Sequence, residues 1–340
     1  MILVLNCGSQ SIKWKVFDQD LKVAQEGKCA VLNQESFQKS LDEELKKISG
    51  LKIEAVGHRV VHGKDIFKEP TEITEGNIAD LEKLNHLAPL HNPFNVLGIK
   101  ACQNIFKGVP EIAVFDTEFY KDLPEQAFTY ALPEAIVKEF GFRKFGFHGI
   151  SHEYVAGKAA EMIKKPFSKL KIISCHLGGG ASITAIKNGK AVDTSMGFTP
   201  LQGLVMMTRV GDIDSGVVLE LVREFTLDRT KEILNKESGV KGICGENDML
   251  RVLDMVEKGD KKAILALDVF VYSIQKYIGS YFAILGGCDV LVFTGSIGAG
   301  SKKIRDMICE NLDILKKAKV LAIPTDEESA IAEKVLNIKH

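Results

Sequence analysis

The sequence is poor in the signals of export, cross-linking and charge-driven binding. Its seven cysteines (Cys7, Cys29, Cys102, Cys175, Cys244, Cys288 and Cys309) are scattered, odd in number and never spaced C-x-x-C. That pattern argues against a disulfide framework and a zinc site, and fits a reducing, cytoplasmic setting. The formal net charge is −1, so no basic excess points to nucleic acid. The most apolar long stretch, residues 264–293, is interrupted by Asp268, Gln275, Lys276 and Asp289. It suits a buried helix followed by a strand better than a membrane span. Met1 runs straight into apolar residues 2–5 with no basic leader, so no signal peptide is expected. A Pro/Ser-rich linker is also missing, so any two halves should lie in contact.

What is present describes an ordinary globular chain. It has 340 residues, 45% hydrophobic and 26% charged. That suggests two domains or one large one, able to bury a core without covalent staples. Residues 2–5 form a short apolar run, Cys7-Gly8-Ser9-Gln10 is turn chemistry, and Ile12, Trp14 and Val16 alternate at strand period. Residues 23–31 and 55–61 read as further strands, and residues 37–48 as an amphipathic helix capped by Ser36. The second half opens in the same way. An apolar strand over 170–175 meets the turn His176-Leu177-Gly178-Gly179-Gly180, then a strand over 181–186, then Asn188-Gly189 as a type I′ hairpin signal. A third glycine-rich segment, Thr294-Gly295-Ser296-Ile297-Gly298-Ala299-Gly300, follows a strand over 289–293 and precedes a helix starting at Ser301. Strand, loop and helix N-terminus together suit a phosphate, although the spacing is neither that of a Walker A loop nor a dinucleotide fingerprint. Helices are expected over 213–224, 247–257, 261–285 and 302–315. Alternating strands and helices make the chain α/β.

Glycine-rich turns are one half of a phosphoryl-transfer site; cations and a metal-holding carboxylate are the other. Arg59 lies in Gly57-His58-Arg59-Val60-Val61-His62-Gly63, and Arg209 in Met207-Thr208-Arg209-Val210-Gly211-Asp212. Both sit near glycine in segments built for burial. Asp116 ends the run Ile112-Ala113-Val114-Phe115, a common placement for a functional carboxylate in an α/β sheet, though a turn or cap residue reads the same locally. His148 and His152 are four apart, but Gly149 weakens a helix there and no H-E-x-x-H pattern exists. His148 reads better as a donor to a transferring phosphoryl group than as a zinc ligand.

These segments resemble the acetokinase family, of the acetate and sugar kinase/Hsp70/actin superfamily. The resemblance runs almost end to end and is carried by Asn6-Cys7-Gly8-Ser9, residues 57–63, Leu87-Ala88-Pro89-Leu90-His91-Asn92-Pro93, Phe115-Asp116-Thr117, residues 146–152, His176-Leu177-Gly178 and residues 193–209. The segment Asp193-Thr194-Ser195-Met196-Gly197-Phe198-Thr199-Pro200-Leu201 is especially specific. The resemblance implies duplicated ribonuclease-H-like (actin/Hsp70-type ATPase) domains with a cleft between them. Residues 1–150 would carry the acceptor-site segments, and residues 151–340 the nucleotide loops and a homodimer interface. It implies reversible, Mg2+-dependent phosphoryl transfer from ATP to acetate, giving acetyl phosphate and ADP, with Mn2+ able to substitute.

Residue by residue, the resemblance places Asn6, Ser9, Ser11 and Lys13 near the phosphates and metal. Asn6 and Glu327 would serve the metal. Arg59 and Arg209 would hold the carboxylate and phosphoryl group, His148 would stabilise the transferring group, and His176 would lie nearby. Asp116 would be the essential carboxylate. Val61, Leu90, Phe147 and Pro200 would line the methyl pocket. Gly178, Gly179, Gly180, Asp248, Met249, Gly295, Ser296, Ile297 and Gly298 fall in the nucleotide segments.

The chain departs from the family mainly on the donor side. The family usually has Asn where this chain has Gly179, and Ser296, Ala299 and Gly300 replace Gly, Glu and Asn. Leu250 follows Asp248-Met249 where the family usually has Arg. The chain also looks shorter than typical members between Asp18 and Ala55 and between Leu315 and Val320. A propionate kinase, a pyrophosphate-dependent acetate kinase, and a catalytically inactive nucleotide-sensing module stay open as alternatives.

Overall fold

The computed structural model describes residues 1–8, 11–31, 34–89 and 91–338. The chain forms two compact units. The first comprises Met1–Lys121, Phe147–Tyr154 and the residues from Asp326 onward; the second comprises Asp122–Gly146 and Val155–Thr325. A single boundary after residue 150 therefore does not describe the arrangement. The C-terminal residues, expected in the second domain, belong to the first: the helix Glu327–Ile338 packs on its sheet. It does so because Ile331, Ala332 and Val335 join Ile2, Val4, Ile112 and Val114 in one buried cluster. Gly57 permits this approach, since a Cβ there would stand 2.7 Å from Ile331.

The first unit is built on strands β1 (Ile2–Gly8), β2 (Ser11–Phe17), β3 (Val23–Ala30), β4 (Ala55–Val60), β5 (Thr71–Glu72) and β6 (Glu111–Phe115). Their order is β3-β2-β1-β4-β6-β5. The pairs β1–β2 and β2–β3 are antiparallel, whereas β1–β4 and β4–β6 are parallel. The opposite face is covered by the helices Gln34–Lys46 and Asn92–Ile105 around Trp14, Phe37 and Phe94. Ser36, expected as a cap, lies inside the first of these helices.

The second unit repeats the topology. Strands β7 (Lys171–Leu177), β8 (Ala181–Lys187), β9 (Lys190–Thr194), β10 (Val290–Thr294) and β11 (Lys319–Ala322) pair in the order β11-β10-β7-β8-β9. The β7–β8 and β8–β9 pairs are antiparallel; β7–β10 and β10–β11 are parallel. Two sheets of the same design make this a duplicated ribonuclease-H-like fold of the actin/Hsp70 type. The hairpin at Asn188-Gly189 has φ of +55° and +82°, as a type I′ turn requires. The helix Lys261–Leu285 has the bounds expected from its pattern. Others start later than expected: Asp214 caps Ser215–Glu224, and Asp248 caps Met249–Glu257. The helix from Lys302 stops at Cys309, with a separate turn at Asp313–Leu315. No helix among the described residues is long and apolar enough to cross a membrane.

Candidate functional site

In the first unit, Arg59 and Asp116 sit at the C-terminal ends of the paired parallel strands β4 and β6. Arg59 donates from Nε to Asp116 Oδ1 at 3.0 Å and from Nη2 to Oδ2 at 2.8 Å. Its third nitrogen, Nη1, meets Glu327 Oε2 at 2.8 Å. Glu327 and Glu328 open the C-terminal helix, where a helix N-terminus favours negative charge. Asn6, at the end of β1, donates from Nδ2 to Glu328 at 3.1 Å and Glu327 at 3.4 Å. Asp116 is 1% exposed, and Asn6, Glu327 and Glu328 are also buried.

The charges around Arg59 do not cancel. Three buried carboxylates, Asp116, Glu327 and Glu328, converge on one guanidinium. Burial opposes the Arg59 charge, but Asp116 and Glu327 outweigh it and raise its pKa above the ordinary arginine value. Burial likewise raises the pKa of Glu327; Arg59 opposes this, and Asp116 and Glu328 add to it. A carboxylate surplus with an asparagine beside it suits a hard divalent cation such as Mg2+, which takes oxygen ligands. Glu327, Glu328 and Asn6 are the residues that fit one. Lys13, on β2, faces outward near Glu327. Its neighbour Lys15 is tied to Asp326 at 2.8 Å. Ser11 begins β2 opposite Gly8; Ser9 and Leu90 lie outside the described residues.

The loops expected to hold the acceptor are fixed by two asparagines not singled out from the sequence. Val61 donates its backbone N–H to Asn95 Oδ1 at 3.2 Å, and Asn92 bonds both the N–H and the carbonyl of His62. Asn95 also donates to the Cys7 carbonyl at 2.7 Å, joining the β1 and β4 ends. The Asn-Pro-Phe-Asn spacing puts Asn92 and Asn95 about one helical turn apart, which is the signal that could have found them. Val61 and Phe147 are buried, and the Phe147 ring meets His62 edge-on at 5.3 Å. His148 adopts φ +57°, a left-handed conformation that non-glycine residues rarely take. It is held between Phe147, whose carbonyl accepts from Tyr120 Oη at 2.9 Å, and Gly149, whose N–H donates to the Asp116 carbonyl at 3.0 Å. His152 is fully buried in the following helix, and the two histidines form no metal cluster among the described residues.

The second unit carries the opposite imbalance. Arg209 donates from Nη1 to the Pro200 carbonyl at 3.1 Å and approaches Met206 Sδ at 3.9 Å. No carboxylate among the described residues pairs with it, and burial lowers its pKa. Its loop is shaped by Gly239 at φ +65°, where a Cβ would strike the carbonyls of Met206 and Arg209 at 2.1 and 2.7 Å. A partly buried guanidinium with no carboxylate partner among the described residues is chemically suited to an anion.

Glycine turns lie in the same unit. The Gly178 N–H donates to the Gly180 carbonyl at 3.0 Å, closing the turn between β7 and β8. His176 stands at its edge, and Ser296 Oγ lies 3.5 Å from where a Gly178 Cβ would be. Gly179 is exposed, with open space around a Cβ. The segment Gly295–Gly298 is a single helical turn, not an open loop. Gly295 is held at φ +78° against the Leu177 carbonyl, while Ile297 and Gly298 are buried. Asp248 spends one oxygen capping its helix through the Leu250 N–H at 2.8 Å, and Met249 is buried.

Residues 34–333 match the acetokinase family model. The acetate kinase of Dictyoglomus turgidum is 42% identical over 393 aligned positions, covering 99% of this chain and 97% of the relative. Because 393 positions exceed this chain's 340 residues, at least 53 of them are gaps in it. The crystal structure of Porphyromonas gingivalis acetate kinase superposes with a TM-score of 0.89 at 35% identity, covering 100% of this chain and 99% of that one. A propionate kinase from Francisella tularensis gives the same TM-score and identity, with 99% of each chain covered. A surplus of buried carboxylates in one unit, an arginine with no carboxylate partner among the described residues in the other, and this end-to-end likeness lead to one conclusion: the chain belongs to the acetokinase family and is a carboxylate kinase.

Proposed function

We propose that the enzyme transfers the terminal phosphoryl group of ATP to acetate, giving acetyl phosphate and ADP, and that the reaction runs in both directions. The observation that carries this reading is the pair of opposite charge imbalances: a carboxylate surplus around Arg59, and Arg209 with no carboxylate partner among the described residues. Phosphoryl transfer needs both a cation site and a fixed clamp for a charge-rich transferring group. An acetate oxygen is already a nucleophile, so no general base is required and transfer is direct and in line. Asp116, locked in a fork with Arg59, then orients rather than removes a proton. Arg59, Arg209 and His148 clamp the carboxylate and the transferring group. Val61, Phe147 and Pro200, with Leu90, supply apolar contact for the methyl group. Mg2+, or Mn2+ in its place, would be held by Glu327, Glu328 and Asn6 and would neutralise phosphate charge.

The glycine turn at 178–180, His176 and the turn Gly295–Gly298 serve the nucleotide phosphates. Asp248 and Met249 lie on the adenosine side. Seven free cysteines favour a reducing cytoplasm. A homodimer through the second unit is supported by exposed apolar side chains on two of its helices, Val217, Leu219 and Val222 on one, Leu265 and Tyr272 on another. A propionate preference is the second reading, favoured by the equally close propionate kinase structure.

The test is acetyl phosphate formation trapped with hydroxylamine, with acetate and propionate as acceptors and ATP and pyrophosphate as donors, with and without Mg2+. Mg2+-dependent product from ATP and acetate is expected. Product from pyrophosphate alone, or none from any pairing, overturns the assignment.

A further inference from the structure

A second group of ionisable side chains lies on the other face of the first sheet. Register sets Val56 opposite Glu111 and His58 opposite Ala113. Gly57 faces the C-terminal helix, so Val56, His58 and Glu111 point the other way, toward the helix Asn92–Ile105. Cys102 comes down from that helix. One ligand atom each from His58, Cys102 and Glu111 lie within 4.8 Å of one another, and the three residues are 2%, 0% and 2% exposed. His58 Nε2 and Glu111 Oε2 are in hydrogen-bond contact. The second carboxylate oxygen, Glu111 Oε1, is buried without any hydrogen-bond partner. Burial raises the pKa of the Glu111 carboxyl, with His58 opposing, and raises that of the Cys102 thiol well above its usual value. None of these groups takes part in the phosphoryl-transfer site.

We propose that His58, Cys102 and Glu111 form a site for a divalent transition metal, zinc by its chemistry, separate from the Mg2+ site proposed above. Thiolate, imidazole and carboxylate are a zinc donor set, and the thiolate selects zinc over magnesium. Charge agrees as well. One thiolate, one carboxylate and a neutral imidazole balance Zn2+ to zero, the state a dry core tolerates. Loading replaces the His58–Glu111 contact with bonds to the ion and releases the thiol proton of Cys102 to solvent. The orphaned Glu111 oxygen gains a partner. The absence of C-x-x-C spacing excludes a finger-type site, not one assembled from two strands and a helix. Because His58 immediately precedes Arg59, the ion would pin β4 next to the phosphoryl-transfer residues.

The full chain is expressed in medium supplemented with Zn2+ or Co2+, purified, washed briefly with EDTA and analysed for metal without added Mg2+. About one zinc per chain should be retained, and the cobalt protein should show a thiolate-to-cobalt charge-transfer band. Cys102→Ser should abolish that band with the far-UV circular dichroism unchanged. Glu111→Gln, which can still hydrogen-bond His58, should cut retained metal by about tenfold or more. Wild-type protein that retains neither metal, or a cobalt band that survives in Cys102→Ser, overturns the proposal. Metal content is read independently of kinase activity.

Discussion

Arg59 grips Asp116 with two nitrogens, at 3.0 and 2.8 Å, while its third reaches Glu327 at 2.8 Å. A planar fork is needed for that geometry, and an ammonium cannot reproduce it. Arg59→Lys should therefore lose turnover nearly as severely as Arg59→Ala, by ~10²–10³ in kcat. Asp116→Asn should lose at least as much with unchanged circular dichroism, because volume is kept and only charge goes. Folded Asp116→Asn protein with wild-type turnover would show that the carboxylate merely locks a turn.

Arg209 leads to a different balance. Its guanidinium is desolvated with no carboxylate partner among the described residues, so it costs stability while the site is empty. Arg209→Met should leave the melting temperature equal or higher and lower kcat by ~10²–10³. Phosphate should raise the melting temperature of the wild type more than that of the variant. A clear drop in stability for Arg209→Met in buffer alone would mean the arginine is chiefly structural.

Val61 is buried, and its backbone is held by Asn95. If it touches the acceptor methyl group, Val61→Ala should favour propionate over acetate. One methylene in an apolar pocket is worth ~1–3 kcal/mol, so the ratio of kcat/KM values should move about tenfold. An unchanged ratio removes Val61 from the pocket.

The repeated strand–turn–strand openings were legible because strand alternation and glycine turns are local signals, and both sheets carry them. Helix ends were less so: Asp214 and Asp248 cap their helices, although both lay inside the helices expected from periodicity. Asp116 at a strand end and Arg59 near glycine could be picked out by position. Their mutual fork could not, because it depends on β4 pairing with β6. The grouping of Glu327 and Glu328 with Arg59 was still further from view, since it depends on the last helix docking over Gly57. The same holds for the His58, Cys102 and Glu111 cluster, whose members share a sheet face but no motif.

That last helix is also held by charge. Lys334 meets Glu118 at 2.7 Å and Glu153 at 2.8 Å. Burial alone would lower the lysine pKa, but Glu153 and Glu118 outweigh it and the value rises above ordinary lysine. The folded state thus holds this proton more tightly than the unfolded chain. Its stabilising effect is complete below the unfolded value of about 10.4 and fades as pH rises through the higher folded one. Lys334→Met should cost about 2 kcal/mol at pH 8, given two partly buried carboxylates left behind. It should also show a shallower loss of stability above about pH 10. Urea midpoints at pH 8 and in alkaline buffer decide it; parallel decline in both proteins would exclude a special role for Lys334.

Gly149, the residue after His148, is tied to the backbone of Asp116. Its N–H bonds the Asp116 carbonyl, and a Cβ would lie 2.3 Å from that oxygen. Backbone cannot yield cheaply, so Gly149→Ala should destabilise the protein by ~1–3 kcal/mol. It should also push apart Asp116 and His148, the latter already held at φ +57°. Gly157, in the same helix, has no atom within 4 Å of its Cβ position. Gly157→Ala should be neutral or stabilising by up to ~1 kcal/mol, as alanine is the better helix former. The comparison separates helix propensity from site geometry. At a temperature where all three proteins are folded, Gly149→Ala should fall at least tenfold in kcat, a barrier change of ~1.4 kcal/mol, while Gly157→Ala keeps wild-type turnover. Equal turnover in the two variants would show that the Asp116 carbonyl contact serves folding alone.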